Sequence, residues 1–201
     1  RASYSDFWTA ILTKTLTRPN ETDPFQMDRI PQYGPDRRDT GGVQRFGRVR
    51  LTNPDKVLYP ATGTAAPVTK AQVFDYYLTV AEFMLPHIAG RPVTRKRWPN
   101  GVEGESFFEK HLASSAPEWL ARGAIAHRTG TTIYPIIDTA EGLAWIAQQA
   151  ALEVHVPQWR FAGSTPGPAT RIVFDLDPGE DVTVAQLVVV ARAVRDLMAD
   201  L

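Results

Sequence analysis

The chain has 201 residues, of which 43% are hydrophobic and 22% are charged, the proportions of an ordinary globular protein. Its 22 basic and 22 acidic side chains cancel, which excludes a strongly basic nucleic-acid-binding composition but leaves room for a local basic groove. Cysteine is absent, which excludes disulfides and thiolate metal sites and fits a reducing cytoplasm. No apolar run reaches the roughly 20 residues that span a bilayer, so we expect no membrane segment.

Proline, glycine and charged residues are frequent in residues 1–47, and this composition predicts an extended or disordered leader. From residue 48 onward the spacing of apolar residues predicts regular structure. Thr69 is a suitable N-cap for a helix to about residue 88, whose predicted apolar face consists of Val73, Tyr76, Tyr77, Val80, Phe83 and Met84. Further helices are predicted to start at 115–118, to run over 139–150 with Thr139 as the N-cap, and to run over 182–201. Strands are predicted over 93–98, 107–110, 125–128, 131–137, 154–161 and 171–176, with a hairpin at Thr129-Gly130 and a loop over 162–169. Residues 48–201 are therefore predicted to form an α/β or α+β domain, with mixed sheets flanked by helices.

The most informative segment is 172–179, Ile-Val-Phe-Asp-Leu-Asp-Pro-Gly. Side chains alternate along a strand, so Asp175 and Asp177 are predicted to lie on one face. Two adjacent carboxylates repel each other, and a divalent cation with its preference for oxygen ligands removes that repulsion. The pair therefore indicates metal-dependent phosphoryl transfer, which usually needs a third carboxylate as well. An acidic strand end in a solvent-exposed turn explains the spacing equally well.

A basic and aromatic segment precedes it. On the predicted strand 93–98, Arg95 and Arg97 share one face and Lys96 lies on the other, while Phe107, Phe108 and Lys110 follow on the next strand. Cations beside exposed rings suit contacts to a nucleic-acid backbone and its bases. For this segment alone, a core phenylalanine beside a solvated basic strand is the simpler explanation.

Three further side chains are candidates for phosphate contacts. His155 lies in an apolar strand, where a lone histidine is usually structural, and it gains a triphosphate- or metal-related role only if its strand adjoins Asp175. Lys56 follows the Asn53-Pro54-Asp55 turn, and Lys70 opens the helix capped by Thr69. A helix N-terminus with a nearby lysine can hold a phosphate, although each lysine alone fits an ordinary surface residue.

Five segments, taken together and in order, resemble a known family: LTNPDKVLYP at 51–60, RKRWPNG at 95–101, FFEK at 107–110, AALEVH at 150–155 and VFDLDP at 173–178. They resemble the polymerase domain of bacterial ATP-dependent DNA ligase D, a member of the archaeo-eukaryotic primase superfamily. The similarity is greatest to mycobacterial and other actinobacterial versions and covers about residues 49–201. It implies the primase-polymerase fold.

The resemblance implies a DNA-repair nucleotidyltransferase of non-homologous end joining. It adds nucleotides, often ribonucleotides, at DNA ends and gaps by two-metal transfer with Mn²⁺ or Mg²⁺. The expected partners are DNA ends with a 5′-phosphate, NTP or dNTP, Ku and a ligase domain, at the bacterial nucleoid in the cytoplasm. The implied roles are metal binding and catalysis for Asp175 and Asp177, triphosphate contact for His155, 5′-phosphate contact for Asn53, Lys56 and Lys70, template stacking for Phe107 and Phe108, and end synapsis for His127 and Arg128.

The chain also departs from the family pattern. Residues 1–47 match nothing in it, residues 64–70 form a longer segment than usual, and the chain stops before the family's third aspartate and the Ser/Lys-containing segment that completes the nucleotide site. We therefore expect the chain alone not to polymerise, and the apolar stripe of the helix over 182–201 to need a partner surface. One alternative is a catalytically inactive module that binds the 5′-phosphate of a DNA end. Another is a metal-dependent phosphohydrolase of the haloacid-dehalogenase type. That class is expected to have Thr or Val two residues after the second aspartate, where this chain has Gly179, which argues against it.

Overall fold

Regular structure begins slightly earlier than the sequence predicts. The computed structural model describes residues 44–199, so the predicted leader lies outside the described residues apart from 44–47. There strand β1, Arg45–Phe46, pairs antiparallel with β2, Val49–Arg50, across a turn at Gly47. Phe46 packs against the core, which ties this hairpin to the rest of the described domain.

The described chain is a mixed α+β domain with small antiparallel sheets and helices, as the sequence predicts. The remaining bounds are β3 Val57–Tyr59, β4 Val68–Thr69, α1 Lys70–Thr79, α2 Ala81–Ile88, β5 Thr94–Arg97, β6 Phe107–Glu109, β7 Arg122–His127, β8 Gly130–Pro135, α3 Ala140–Gln148, β9 Ala151–His155, β10 Trp159–Ala162, β11 Thr165–Ala169 and α4 Val184–Ala199. Strands β6, β5 and β9 form a three-stranded sheet in that order, called the central sheet below, and the pairs β3–β4, β7–β8 and β10–β11 are hairpins or short ribbons.

Helix α3 is the centre of the core. Its N-cap is Thr139, as predicted, whose hydroxyl oxygen accepts the backbone N–H of Gly142 at 3.1 Å. Every residue from 142 to 147 is buried, and the helix packs against α1, α2, β2 and β9. A helix that is apolar all round is stable only inside such a shell. It therefore fixes the relative positions of the segments that bear the candidate site.

The predicted helix over 69–88 is broken into two. Thr69 and Gln72 form a capping box that starts α1. Val80, with φ −90° and ψ 4°, interrupts the helical register between α1 and α2. Of the predicted apolar face, Tyr76 in α1 and Phe83 in α2 remain 50% and 48% exposed. Val73 and Tyr77 are buried as predicted.

Three other predicted elements differ from the structure. No helix follows residues 115–118: the N–H of Leu120 bonds the carbonyl of Pro117 at 3.1 Å in a turn, and β7 begins directly afterwards. The predicted strand over 154–161 is two strands, β9 and β10, separated where Pro157 has no N–H to donate. The predicted loop over 162–169 contains β11, which pairs with β10.

Helix α4 forms close to its predicted bounds, and none of its side chains is buried. On the predicted apolar stripe, Val184, Val188 and Leu197 are 76%, 42% and 65% exposed, and Leu187 and Val194 are half-buried. The described residues 44–199 therefore cover this stripe only in part. No helix in that described range is long and apolar enough to cross a membrane.

One buried hydrogen bond connects α1 to the central sheet and gives a stability prediction. Tyr77 is 3% exposed, and its hydroxyl donates to the carbonyl of Ala151 at 2.9 Å. Burial raises the pKa of this phenol, so it remains a donor. Tyr77→Phe leaves that carbonyl without the donor and should lower the free energy of unfolding by about 1–3 kcal/mol. Urea denaturation of both proteins measures this loss. Tyr76→Phe is the matched control, and an equal effect of both changes would contradict the assignment.

Candidate nucleic-acid interface

Lys56 and Lys70 are brought together by the loop over residues 53–56, which packs on the first turn of α1. The backbone N–H of Lys70 donates to the carbonyl of Lys56 at 2.8 Å, and that of Ala71 donates to the carbonyl of Pro54 at 2.9 Å. Asn53 has φ 52°, a left-handed conformation that asparagine tolerates better than most residues. The structure therefore joins the turn and the helix start that the sequence suggested separately.

The ammonium group of Lys70 is buried beside other cations. The residue is 6% exposed, and its Nζ donates to the carbonyl of Thr52 at 2.9 Å. Burial, followed by the positive charges of Lys56 and Arg97, lowers the pKa of Lys70 to about 8. A phosphate bound here would offset both the desolvation and the repulsion. This combination is what a preformed anion site requires.

Two amide side chains hold this arrangement in place. Gln148 Oε1 accepts the N–H of Thr52 at 2.9 Å, and Gln148 Nε2 donates to the Thr52 hydroxyl at 2.7 Å, which fixes the carbonyl that receives Lys70. Lys56 Nζ donates to Asn100 Oδ1 at 3.1 Å. Neither contact was predicted from the sequence. The group formed by Asn53, Lys56, Lys70 and Asn100 is called the lysine pocket below.

One face of the central sheet combines aromatic and charged side chains. Lys96 Nζ lies 4.7 Å from the ring centroid of Trp98 and 5.4 Å from that of Phe108. Glu153 bridges Lys96 and His155, with Oε1 to Lys96 Nζ at 3.1 Å and Oε2 to His155 Nε2 at 2.8 Å. The ring of His155 meets that of Phe108 edge-on, with centroids 5.5 Å apart. His155 and Phe108 thus lie in one patch with Lys96, which the sequence placed on this face, and with Glu153, which it did not single out.

The opposite face contains the two arginines that the sequence placed together. Glu109 Oε2 accepts a hydrogen bond from Arg97 at 2.9 Å and forms an ion pair with Arg95 at 3.2 Å, which confirms that the two arginines share a face. The guanidinium carbon of Arg97 lies 5.4 Å from the ring centroid of Phe107, which is 45% exposed. Phe108, on the other face, is 59% exposed, so neither ring is in the core.

Arg95, which the sequence assigned to a DNA backbone, is not accessible at the surface of this structure. Arg95 is 1% exposed and its guanidinium lies 4.9 Å from the ring centroid of Trp145 in α3, so its face of the sheet is covered at that position. Burial lowers the pKa of Arg95, while Glu109 opposes this effect. Strand alternation predicted which residues share a face but not which part of it α3 would cover. Lys110, just after β6, is exposed.

The segment containing the two aspartates is not the buried strand that the sequence predicts. Residues 171–179 form no strand, and Ile172, Val173 and Phe174 are 67%, 60% and 50% exposed. A strand needs a neighbouring backbone to receive its hydrogen bonds, and none of the described strands pairs with this segment. The common face of Asp175 and Asp177 therefore stays a prediction. His155 lies in β9, whose only described partner in the sheet is β5.

As a metal site, the aspartate pair supplies two suitable ligands. Asp175 and Asp177 are both exposed and offer hard oxygen donors, which fit Mg²⁺ or Mn²⁺. Within residues 44–199, no group of three or more His, Cys, Asp or Glu side chains is arranged to hold a metal ion. The described residues therefore fit part of a divalent-cation site.

His127 and Arg128 lie at the tip of the β7–β8 hairpin. The two strands pair from Arg122–Pro135 to His127–Gly130, so Arg128 and Thr129 form the two-residue loop, close to the predicted hairpin. Both predicted residues are exposed there. The hairpin presents them to solvent, where contact with a second molecule is sterically open.

Comparison with known proteins identifies the family. Residues 69–201 match the family model described as LigD, primase-polymerase domain. The chain belongs to this family. The resemblance seen in the sequence motifs is thereby confirmed, and with it the fold class.

The relatives show how much of a longer protein the chain covers. The multifunctional non-homologous end joining protein LigD of Mycolicibacterium smegmatis is 72% identical over 160 residues, which are 80% of this chain and 20% of that protein. The bifunctional LigD of Bacillus subtilis is 30% identical over 131 residues, 65% of this chain and 20% of that protein. The solved polymerase domain from Mycobacterium tuberculosis ligase D, in complex with DNA, has a TM-score of 0.69 at 72% identity and covers 76% of this chain and 54% of that one. The chain thus spans about a fifth of these curated relatives.

Proposed function

We propose that this chain is the DNA-end-recognising part of a nucleotidyltransferase that adds nucleotides at breaks and gaps during non-homologous end joining. The observation that supports this most directly is the buried Lys70 ammonium, 6% exposed, assembled beside Lys56 at the start of α1. A terminal phosphate monoester has nearly two negative charges at neutral pH, more than an internal diester. The lysine pocket matches that charge, and we assign to it the 5′-phosphate of a DNA end.

The aromatic rings supply the second part of the interface. Phe107 and Phe108 are half exposed on opposite faces of the sheet, each with a cation nearby, Arg97 and Lys96 respectively. Base stacking on such rings contributes about 1–3 kcal/mol per base and is independent of sequence. We assign the two rings to the template strand at a gap, with Arg97 and Lys110 beside its backbone. The solved relative is a complex with DNA, which supports the proposal that this chain binds DNA.

The chemistry is assigned to the segment that follows. Asp175 and Asp177 would hold the divalent cation, Mn²⁺ or Mg²⁺, and His155 would contact the triphosphate of an incoming NTP or dNTP. A divalent cation supplies charge neutralisation during phosphoryl transfer. Glu153 Oε2 lies 2.8 Å from His155 Nε2 and is hydrogen-bonded to it, so Nδ1 is the ring nitrogen that can contact a ligand. Ku and a ligase domain are the proposed protein partners, and His127 and Arg128 are assigned to synapsis of two ends.

A non-catalytic end-binding module is the second candidate. The lysine pocket is assembled entirely within the described residues, whereas in that range the two aspartates belong to no group of three or more carboxylate or imidazole side chains that could hold a metal ion. Extension of a gapped duplex with nucleotide and Mn²⁺ separates the two functions. Extension supports the transferase, and binding without extension by the full-length protein supports the module.

The pocket assignment is tested with Lys56→Ala. Losing one charge-assisted contact should weaken binding of a 5′-phosphorylated recessed duplex by about 1.5–3 kcal/mol, with little effect on the 5′-hydroxyl duplex. Fluorescence anisotropy on both duplexes at one fixed salt concentration measures this, because salt changes every phosphate contact. Lys110→Ala, which removes a cation outside the pocket, should weaken both duplexes equally. If Lys56→Ala still prefers the 5′-phosphate as the unmodified chain does, the pocket lies elsewhere.

A further inference from the structure

The turn at residues 99–101 is held rigidly against the strand that follows Lys56. The N–H of Val102 donates to the carbonyl of Leu58 at 2.8 Å, and the N–H of Gly101 donates to that of Trp98 at 3.1 Å. Gly101 has φ +85°, and a Cβ at this position would lie 3.0 Å from the Val57 carbonyl oxygen. A side chain there would therefore clash with backbone. The close approach fixes Asn100, one residue earlier, beside Lys56.

Asn100 contacts Lys56 in a defined orientation. Its side-chain oxygen accepts from Lys56 Nζ at 3.1 Å. An ammonium group can only donate, so the amide oxygen must face the lysine and the amide NH₂ is left to donate elsewhere. Lysine and asparagine thus form a pair that still has N–H donors for a ligand.

The Asn100 amide carries no charge, and this matters because several positive charges lie close together at the site. Lys56 and Arg97 are both close enough to Lys70 for their positive charges to lower its pKa. Repulsion would drive the flexible Lys56 side chain outward into water. An aspartate would also hold it, but its carboxylate would cancel the charge that attracts a phosphate and would repel the phosphate itself. An amide holds the lysine while leaving its charge available.

We propose that Asn100 is a positioning and specificity-determining residue of the lysine pocket, which holds Lys56 toward the terminal phosphate of a nucleic-acid end without neutralising it. This inference rests on the proposed 5′-phosphate pocket and adds to it a residue from the turn after β5. Asn100 acts through Lys56, so its contribution should exist only while Lys56 is present.

The test is a double-mutant cycle on the 1–201 chain, with recessed DNA duplexes that differ only in a 5′-phosphate or a 5′-hydroxyl. Asn100→Ala should weaken binding of the phosphorylated duplex by about 3- to 10-fold, the range of one hydrogen bond. In the Lys56→Met background the same change should have no further effect. Asn100→Asp, which keeps the hydrogen bond to Lys56, should reduce the preference for the 5′-phosphate by at least about tenfold.

Ser164→Asp is the matched control for Asn100→Asp, because it adds the same charge at the exposed turn between β10 and β11. It should leave the preference for the 5′-phosphate unchanged. Should Asn100→Ala prove unstable, binding of the 5′-hydroxyl duplex will fall too, and Asn100→Asp then decides.

The outcomes separate this inference from the pocket assignment. If Lys56→Met loses the phosphate preference while both Asn100 variants keep it, the pocket stands and the role of Asn100 is overturned. Equal losses from Asn100→Ala with and without Lys56 would also overturn it, because Asn100 would then act independently of the lysine. If Lys56→Met itself retains the preference, the pocket and this inference fail together.

Discussion

Asp175→Asn or Asp177→Asn should abolish nucleotide addition by the full-length protein while leaving its affinity for DNA ends unchanged. Each change replaces a charged oxygen ligand by a neutral amide, and metal ions contribute several kcal/mol to phosphoryl transfer. A loss of several kcal/mol corresponds to at least about a thousandfold in rate. DNA affinity should persist because the lysine pocket and the aromatic rings lie in other segments of the chain.

The measurement is extension of a gapped duplex with Mn²⁺ and nucleotide, beside anisotropy on the same duplex. Asp181→Asn is the matched control: it removes a carboxylate from the turn just before α4, where φ is 67° and asparagine is well tolerated. It should extend normally. Retained extension in Asp175→Asn would remove this residue from the site. Release of phosphate from small phosphoesters by the unmodified protein would instead favour a phosphohydrolase.

Local signals in the sequence were sufficient for much of the fold. Thr69 and Thr139 cap their helices as predicted, because an N-cap depends on residues within one turn. Arg95 and Arg97 share a face, because alternation is a property of any strand. Lys56 was predicted from the turn that precedes it and Lys70 from its place at a helix start. Backbone hydrogen bonds between residues 54–56 and α1 bring the two lysines together.

The parts that sequence reasoning missed depend on distant partners. Gln148 contacts Thr52 across 96 positions and Asn100 contacts Lys56 across 44, and no periodicity encodes such pairs. Arg95 was assigned to DNA because a pattern of alternation does not show where Trp145 will pack. Residues 171–176 were predicted buried from their apolarity, but burial also requires a covering surface.

The pH dependence of DNA-end binding should report on Lys70. Burial and the charges of Lys56 and Arg97 lower the pKa of Lys70 to about 8, and only the charged ammonium attracts a phosphate. The second ionisation of a phosphate monoester lies near pH 6, so its charge is nearly constant above pH 7. The preference for a 5′-phosphate over a 5′-hydroxyl should therefore be largest near pH 7. It should fall by up to about tenfold by pH 9, as the charged fraction of Lys70 falls.

As pH rises, the contribution of Lys70 to the stability of the folded chain should increase while the preference for a 5′-phosphate decreases. This difference distinguishes the titration of Lys70 from general unfolding at alkaline pH. The pKa of Lys70 is lower in the folded chain, about 8, than its ordinary value of 10.5, so the unfolded chain binds more protons between these values. This residue's contribution to the free energy of unfolding thus rises with pH across that window while phosphate binding weakens. Lys70→Arg retains a positive charge and should remove the pH step in binding, whereas Lys56→Arg should keep it. A phosphate preference that is flat from pH 7 to pH 9 in the unmodified chain would show that Lys70 does not contact the phosphate.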